Sequence, residues 1–487
     1  MFDREDPRLI WVSPDAENGD GTFDQPYSTV ENALKEVEPG NTIVLKNGIY
    51  EEDVTVQISG TLESPIRIVA DENANVEISA SCWFFYDTSD LIVSGLTFKG
   101  APHGAVSVIG ACQRNRFEKL LFENCGTTDS PSCTMYFGGS SAECNIVENC
   151  TFISNKDSYK ANSTSVALMV SEGDNESGNT AIKNHIFRRN CFENYTHAIL
   201  VGSNDVNANF YGHIVEYNTV SNCASDGIII KCGDTQVRGN LIKNCKMNAI
   251  KVAAGSSSII ENNRIENCLN GIAVNGSGHT VSNNCISRCN NQAISVCGNS
   301  NSQQAAVNLF IENNTCVDCG DIPVQSSTKI SGILIEPGTT CVVSNNLISG
   351  DGIPCYVVES TQITTGNAPG QSAQIVITSN AASGSRGLLT GFDQISVDFA
   401  DYTEGNYENN SGYGAQGWML RPEGFNPSLD DLNSESDSFD MSAFDDEDEN
   451  SDIPEDKDHQ EFIESFFSEA NYEDDFTNVD DEEKWAD

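Results

Sequence analysis

The chain alternates short apolar runs with polar turns and shows no sustained helical period. Between about residues 90 and 350 one pattern recurs: apolar, two residues, Asn, one residue, apolar, two residues, often Cys, then a Gly or Ala-Ile-x-Val run. One copy reads Val237-x-x-Asn240-x-Ile242-x-x-Cys245 and then Ala249-Ile250-Lys251-Val252. Ile260, Asn263, Ile265 and Cys268 repeat it, followed by Gly271-Ile272-Ala273-Val274. Val281, Asn284, Ile286 and Cys289 repeat it again before Ala293-Ile294-Ser295-Val296. The register position falls at Leu96, Leu120, Cys150, Asn190, Asn218, Asn240, Asn263, Asn284, Asn314 and Asn346, with the tightest spacings 22, 23 and 21 residues. A period near 22 with alternating apolar positions predicts a parallel β-helix, whose coils bury a shared core only by stacking. A leucine-rich repeat of similar period would need a leucine-dominated consensus, which is missing. Ten register positions at about 4.8 Å per coil predict a stack of about 50 Å.

The expected fold is therefore all-β, a right-handed single-stranded parallel β-helix with a short N-terminal capping helix and an acidic C-terminal tail. Residues 1–90 read as cap and first coils, 91–351 as regular coils, 352–428 as irregular last coils and a C-terminal cap, and 429–487 as the tail. Ser28-x-x-Glu31 has the form of a capping box, and Val30, Ala33, Leu34 and Val37 form one apolar stripe. The Asn column fits inward stacking at a turn, amide on amide.

Charge changes this picture in one place. The net charge is -46, which disfavours nucleic acid and anionic membranes as partners. The tail holds 25 acidic and 2 basic residues, which predicts disorder. Within it, Asp458-x-x-Glu461 precedes Phe462, Ile463, Phe466 and Phe467, a short amphipathic segment that could dock a protein partner or the chain itself. Residues 226–290 run the other way, with seven bases (Lys231, Arg238, Lys243, Lys246, Lys251, Arg264, Arg288) against four acids. No run of about 18 apolar residues exists to cross a membrane. Met1 to Ile10 lacks the apolar segment of a signal peptide. The chain as it stands reads as cytoplasmic, and removal of a leader would make it exported.

Of the 18 cysteines, Cys125, Cys223, Cys245, Cys268, Cys289 and Cys319 share one repeat position. They read as a column of small buried thiols, although stacked coils also bring Cα atoms into disulfide range. Cys316-x-x-Cys319 is a lone pair without zinc-site spacing. Many free thiols favour a reducing compartment.

The opening carries Gly21, Pro26-Tyr27-Ser28-Thr29-Val30, Ala33-Leu34, Pro39-Gly40-Asn41-Thr42-Ile43-Val44-Leu45, Gly48-Ile49-Tyr50 and Ser64-Pro65-Ile66-Arg67-Ile68. This stretch, roughly residues 10–100, resembles that of β-helical polysaccharide lyases, in particular the alginate lyase and chondroitinase B family. The later coils match only as generic repeats. The resemblance implies β-elimination on a uronic-acid polymer by a lysine base and an arginine on the next coil, with or without calcium. Lys231 followed twenty residues later by Lys251 has that approximate spacing, with Lys in place of Arg at the second position. Asp226 and Asp234 flank Lys231 but make no clear calcium site, and no other metal site is evident.

In the Gly-Ile-x-Val strand, one outward column runs Ser107, Tyr136, Met169, Leu200, Ile229, Lys251, Ala273, Ser295, Leu334. A second runs Ile109, Gly138, Ser171, Gly202, Lys231, Ala253, Asn275, Cys297, Glu336. Lys231 and Lys251 are the candidate catalytic pair, with Cα atoms expected about 8 Å apart. Tyr136, His197, Arg238 and Asn275 complete the set as substrate-binding candidates. Met169, Leu200 and Ile229 extend an apolar stripe from Tyr136, which either docks a protein partner or lies under loops at 157–182 and 203–213. His185, His197, His213 and His279 read as turn histidines or, with Asp205, as a weaker constellation. Two functions stay open: binding or cleaving an acidic polysaccharide, and a non-catalytic scaffold for protein partners.

Overall fold

A computed structural model describes residues 2–415, apart from 18, 127–131, 140, 156–164, 172–180, 204–208, 299–305, 321–330, 337, 351–355, 359–374, 384–391, 395–398, 402–405 and 410. The chain divides into two units, Met1–Ser434 and Glu435–Asp487. The second, with the acidic tail and its amphipathic segment, lies outside the described residues.

Three long parallel sheets carry the coils of the first unit, and each regular coil adds one strand to each sheet in turn. Sheet 1 has 12 strands, from Val54–Val56 to Tyr356–Val358. Sheet 2 has 14, from Leu9–Val12 to Ile375–Thr378, and sheet 3 has 14, from Gly48–Tyr50 to Phe392–Gln394. A representative coil runs Gln236–Arg238 in sheet 2, Leu241–Lys243 in sheet 3 and Asn248–Ala254 in sheet 1. Fourteen strands at about 4.8 Å stack to about 62 Å, more than the ten register positions implied. The difference lies at the ends. Coils built on Thr42–Leu45 and on Ile375–Thr378 pair in the same sheets, though their sequences drift from the repeat. An antiparallel pair, Phe399–Asp401 with Asn406–Asn409, follows.

The coil turns from sheet 2 into sheet 3 through two residues, and both are specified. The first adopts a left-handed conformation, as at Asn262, Asn283, Asn313 and Asn345 with φ from 55 to 58°. Asn tolerates this region where most residues do not. The second is the predicted column: Asn190, Asn218, Asn240, Asn263, Asn284, Asn314 and Asn346, continued by Asn380. Each side-chain Nδ2 donates to the Oδ1 of the next coil's Asn at 2.9–3.1 Å. The backbone N–H of each donates to the same oxygen. Each Nδ2, from Asn190 to Asn380, also donates to a carbonyl of the preceding coil. A fully buried carboxamide is tolerated because its donors and acceptor are engaged.

The same position-by-position stacking fills the core. Phe98, Phe122, Phe152 and Phe192 stack at 5.2, 4.5 and 4.8 Å between ring centroids. Val220, Ile242, Ile265 and Ile286 extend that column. The cysteine column is buried as expected, and no disulfide joins the described cysteines. The Cys245 N–H donates to Cys268 Sγ at 3.4 Å. Burial pushes the Cys125 thiol up to about 12.

The capping helix spans Val30–Leu34 and seals the core with Val30, Ala33 and Leu34. Its cap differs from the expected Ser28/Glu31 box. Thr29 is the N-cap, and its Oγ1 accepts from the Asn32 N–H at 3.2 Å. The helix starts one residue later than the box requires, so Glu31 falls too early to reach back. Glu52 Oε1 instead accepts the Val30 N–H at 2.8 Å.

Candidate functional site

The outer face of sheet 1 carries the candidate site, and its register matches the sequence reading residue for residue. Ser107, Tyr136, Met169, Leu200, Ile229, Lys251, Ala273, Ser295 and Leu334 are successive partners. In the second column Gly202 pairs with Lys231. The next step shifts: Ile230 pairs with Val252, but Lys231 pairs with Ala254. This β-bulge takes in Ala253 and sits at the end of strand Ile228–Lys231. Bulges re-aim side chains and recur beside functional sites. Gly202, with φ 103°, is required here, because a Cβ there would lie 2.8 Å from the Lys231 carbonyl oxygen.

Lys231 and Lys251 are both half-buried and point from adjacent coils, two pleat levels apart. Beyond them the ladder aligns Asn275, Cys297 and Glu336. Their N–H groups donate to the carbonyls of Val252, Val274 and Val296. Asn275 is buried, and Cys297 and Glu336 are half-buried. Burial pushes the Cys297 thiol up; Ser295 and Lys251 pull against it and Glu336 adds to it. Glu336 Oε2 accepts the Gly298 N–H at 2.6 Å. Cys297 and Glu336 were readable in the second outward column, but nothing in the sequence separated them from ordinary surface positions.

The other candidates are placed as follows. Tyr136 is half-buried in sheet 1, its ring lying over Gly138 on the same strand, four coils from Lys251. His197 is buried and opens strand His197–Gly202, opposite Val166. Arg238 is not brought together with the lysines. It ends strand Gln236–Arg238 in sheet 2, with Nε 2.8 Å from Glu216 Oε2. Much of the basic window is committed in this way, since Lys243, Arg264 and Arg288 surround Glu266 on sheet 3. Burial alone would push the Glu266 carboxyl up; Arg264 and Lys243 outweigh it and hold it below the usual range.

Met169, Leu200 and Ile229 are 4, 2 and 5% exposed, so of the two expectations for the apolar stripe the buried one holds. Within the spans 157–182 and 203–213, Ser165–Val170 is a strand of sheet 1 and Ala181–Lys183 pairs with Asn209–Tyr211, while 157–164, 172–180 and 204–208 lie outside the described residues. His185, His213 and His279 are turn histidines, the first of the two readings the sequence offered. They stand at the corner before sheet 2, fully buried, where their Nδ1 atoms accept the N–H of Asn145, His185 and Ser258 at 3.2, 3.3 and 3.0 Å. Asn145 Oδ1 and Ser258 Oγ fill the same role toward Asn115 and Thr235. Burial lowers His213 to about 3 and His279 to about 4. Asp205 lies outside the described residues. Among the described residues no group of three or more His, Cys, Asp or Glu could hold a metal ion. Among them, too, no helix is long and apolar enough to cross a membrane.

Two family models match the chain, a Pel9A-like right-handed β-helix region over residues 10–192 and a right-handed β-helix region over 168–348. The chain is a right-handed parallel β-helix. Among solved structures this β-helix is similar to the PL6 family alginate lyase AlyGC, with TM-score 0.62 and 18% identity. That match covers 84% of this chain and 56% of AlyGC. It is also similar to a mannuronic acid specific family 6 lyase from human gut microbiota, with TM-score 0.56 and 16% identity over 80% of this chain and 91% of that one. At these identities the likeness is one of fold. The uncharacterized protein YwoF of Bacillus subtilis (strain 168) is 32% identical over 101 residues, 18% of this chain and 22% of that protein. The β-helix thus spans about a fifth of that curated relative.

Proposed function

We propose that this β-helix binds an acidic polysaccharide across the outer face of sheet 1 and cleaves it by β-elimination. The carrying observation is the Lys231/Lys251 pair, two lysines from adjacent coils on one face, with a bulge at Lys231. The fold shared with PL6 lyases supports the reading, and burial of Met169, Leu200 and Ile229 takes the apolar stripe away from the scaffold alternative.

In this reaction neutral Lys231 takes the proton from the carbon α to a uronate carboxylate. The Lys251 ammonium neutralises that carboxylate, so the negative charge that develops is stabilised. The C–H electron pair forms the new C=C bond as the adjacent glycosidic C–O bond breaks. The departing oxygen takes a proton from solvent or from the Lys231 ammonium. Lys251 binds as a point charge, without an arginine's two-pronged grip on a carboxylate.

The test is incubation with alginate, pectate and chondroitin-type polymers, following ultraviolet absorbance of the unsaturated uronate. The expected result is product from at least one polymer and its loss in Lys231→Ala. A Lys231→Ala variant as active as the parent removes Lys231 from the mechanism, and no product from any polymer removes the lyase reading.

A further inference from the structure

We propose that Cys245–Cys268 and Cys289–Cys319 close into two disulfides when the chain folds in an oxidising compartment, each bridge tying one coil to the next. This is independent of the polysaccharide reading. Cys223, Cys245, Cys268, Cys289 and Cys319 stand at one position of five successive coils. Each lies three residues beyond Val220, Ile242, Ile265, Ile286 or Cys316, which are register partners in sheet 3. Backbone bonds hold this corner at every step. The N–H of Lys246 donates to the Cys223 carbonyl, Leu269 to Cys245, Asn290 to Cys268 and Gly320 to Cys289, at 2.7–3.0 Å. A step of about 4.8 Å between coils falls inside the Cα separation of about 4.4–6.8 Å that a disulfide spans.

Side-chain direction selects the partners. In Cys245, Cys268, Cys289 and Cys319 the thiol points to the carbonyl two residues back, at 4.0, 3.5, 3.9 and 3.5 Å, so the four share one orientation. Cys245 has Cys223 and Cys268 as thiol neighbours. Cys268 Sγ also accepts the Cys245 N–H at 3.4 Å, and so leans back toward Cys245. Cys319 Sγ lies 3.6 Å from the Ile286 carbonyl of the preceding coil, and its thiol bonds to that of Cys289. Pairing along these contacts uses four thiols and leaves Cys223 over.

Burial sets the timing. In the finished stack the five cysteines are 1–2% exposed. A neighbouring thiol (Cys223 for Cys245, Cys319 for Cys289), and then burial, push these two thiols well above the usual range. The thiolate is the attacking form, so the stacked column reacts slowly. A coil at the growing end of the stack keeps its thiol open until the next coil covers it. There its thiolate attacks a small-molecule disulfide such as glutathione disulfide. The S–S bond breaks, one glutathione thiolate leaves and a mixed disulfide forms. The thiolate of the next coil then displaces the second glutathione thiolate. Two protein thiols are thereby oxidised, and one glutathione disulfide is reduced to two thiols. The bridges sit just before strands Asn248–Ala254, Asn270–Val274, Gln292–Val296 and Ser331–Ile335. They fasten the coils that carry Lys251, Asn275, Cys297 and Glu336.

The test makes the full chain by cell-free synthesis in a glutathione/glutathione disulfide buffer and, separately, in a reducing buffer. Each product is alkylated in denaturant and its linked peptides are mapped by fragmentation mass spectrometry. The expected bridges are Cys245–Cys268 and Cys289–Cys319, with Cys223 alkylated. The oxidised chain should melt about 5 °C above the reduced one. Cys268→Ser should lose about half of that increment while matching the parent when both are reduced. Chain folded in reductant and then moved to the glutathione disulfide buffer should stay far less bridged. No linked peptides, bridges scattered over other cysteines, or an oxidised chain that melts no higher than the reduced one overturns the pairing. Equal bridging of the prefolded chain overturns closure during folding.

Discussion

Replacing His279 by Asn is expected to make this protein less sensitive to acid. His279 is fully buried, and its Nδ1 accepts the Ser258 N–H at 3.0 Å, so the ring is needed in its neutral form. Burial lowers its pKa from 6.5 to about 4. The unfolded chain therefore binds a proton that the folded chain refuses between those two values. The stability this histidine contributes is fully present above pH 6.5 and is lost as pH falls toward 4. At 1.36 kcal/mol per pH unit, acidification to pH 5 costs about 2 kcal/mol through this one residue. Asn is the natural replacement, because Asn145 Oδ1 already performs the same task for the Asn115 N–H. The assay is equilibrium urea unfolding of parent and His279→Asn at pH 7 and pH 5. Any cost of the smaller side chain appears at both pH values and cancels in the difference. The fall in unfolding free energy between them should be about 2 kcal/mol smaller in the variant. Equal falls in parent and variant would refute the reasoning and show that the ring is protonated, or solvated, in the folded state.

Two further outcomes follow from the turns and the bulge. Asn263→Ala removes a carboxamide that donates to the Val237 carbonyl and Asn284 and accepts from Asn240, leaving buried polar groups unmatched. It should cost about 3 kcal/mol in urea unfolding, given about 1–3 kcal/mol per stranded group. Gly202→Ala places a Cβ 2.7 Å from the Lys231 carbonyl carbon at a φ of 103°, so strand Ile228–Lys231 must move. It should lower the melting temperature and reduce polyuronate turnover together; a variant with a lowered melting temperature and unchanged turnover would separate the bulge from the chemistry.

The coil architecture was legible because its signal is chemical and periodic. Only Asn fits a turn in which one amide feeds the next, so the letter itself recurs from Asn190 to Asn346. The outward columns followed from pleat alternation once that register was known, and they held from Ser107 to Leu334. The corner before sheet 2 was illegible because it asks only for a side-chain acceptor. Asn115, Asn145, His185, His213, Ser258 and His279 share the place with no common letter. The bulge at Lys231 was hidden for a similar reason, since one extra residue inside Lys251-Val252-Ala253-Ala254 leaves the apolar pattern intact. The basic window was visible, but its partition was not. Glu216 and Glu266 claim Arg238, Lys243, Arg264 and Arg288 across sheets 2 and 3, while Lys231 and Lys251 stand on sheet 1.

The asparagine column also makes the coils interchangeable. Every amide from Asn218 to Asn346 presents the same acceptor to the coil before it and the same donor to the coil after it. Excising one interval, such as residues 264–284, would bring Asn263 against Asn314 with both halves of the joint already matched. Duplicating an interval would create a joint of the same kind. The number of coils is thus decoupled from the chemistry of the joints and from the seal at the N-terminal end. A gene encoding such a chain can lengthen or shorten its binding face by whole repeats while each intermediate remains foldable.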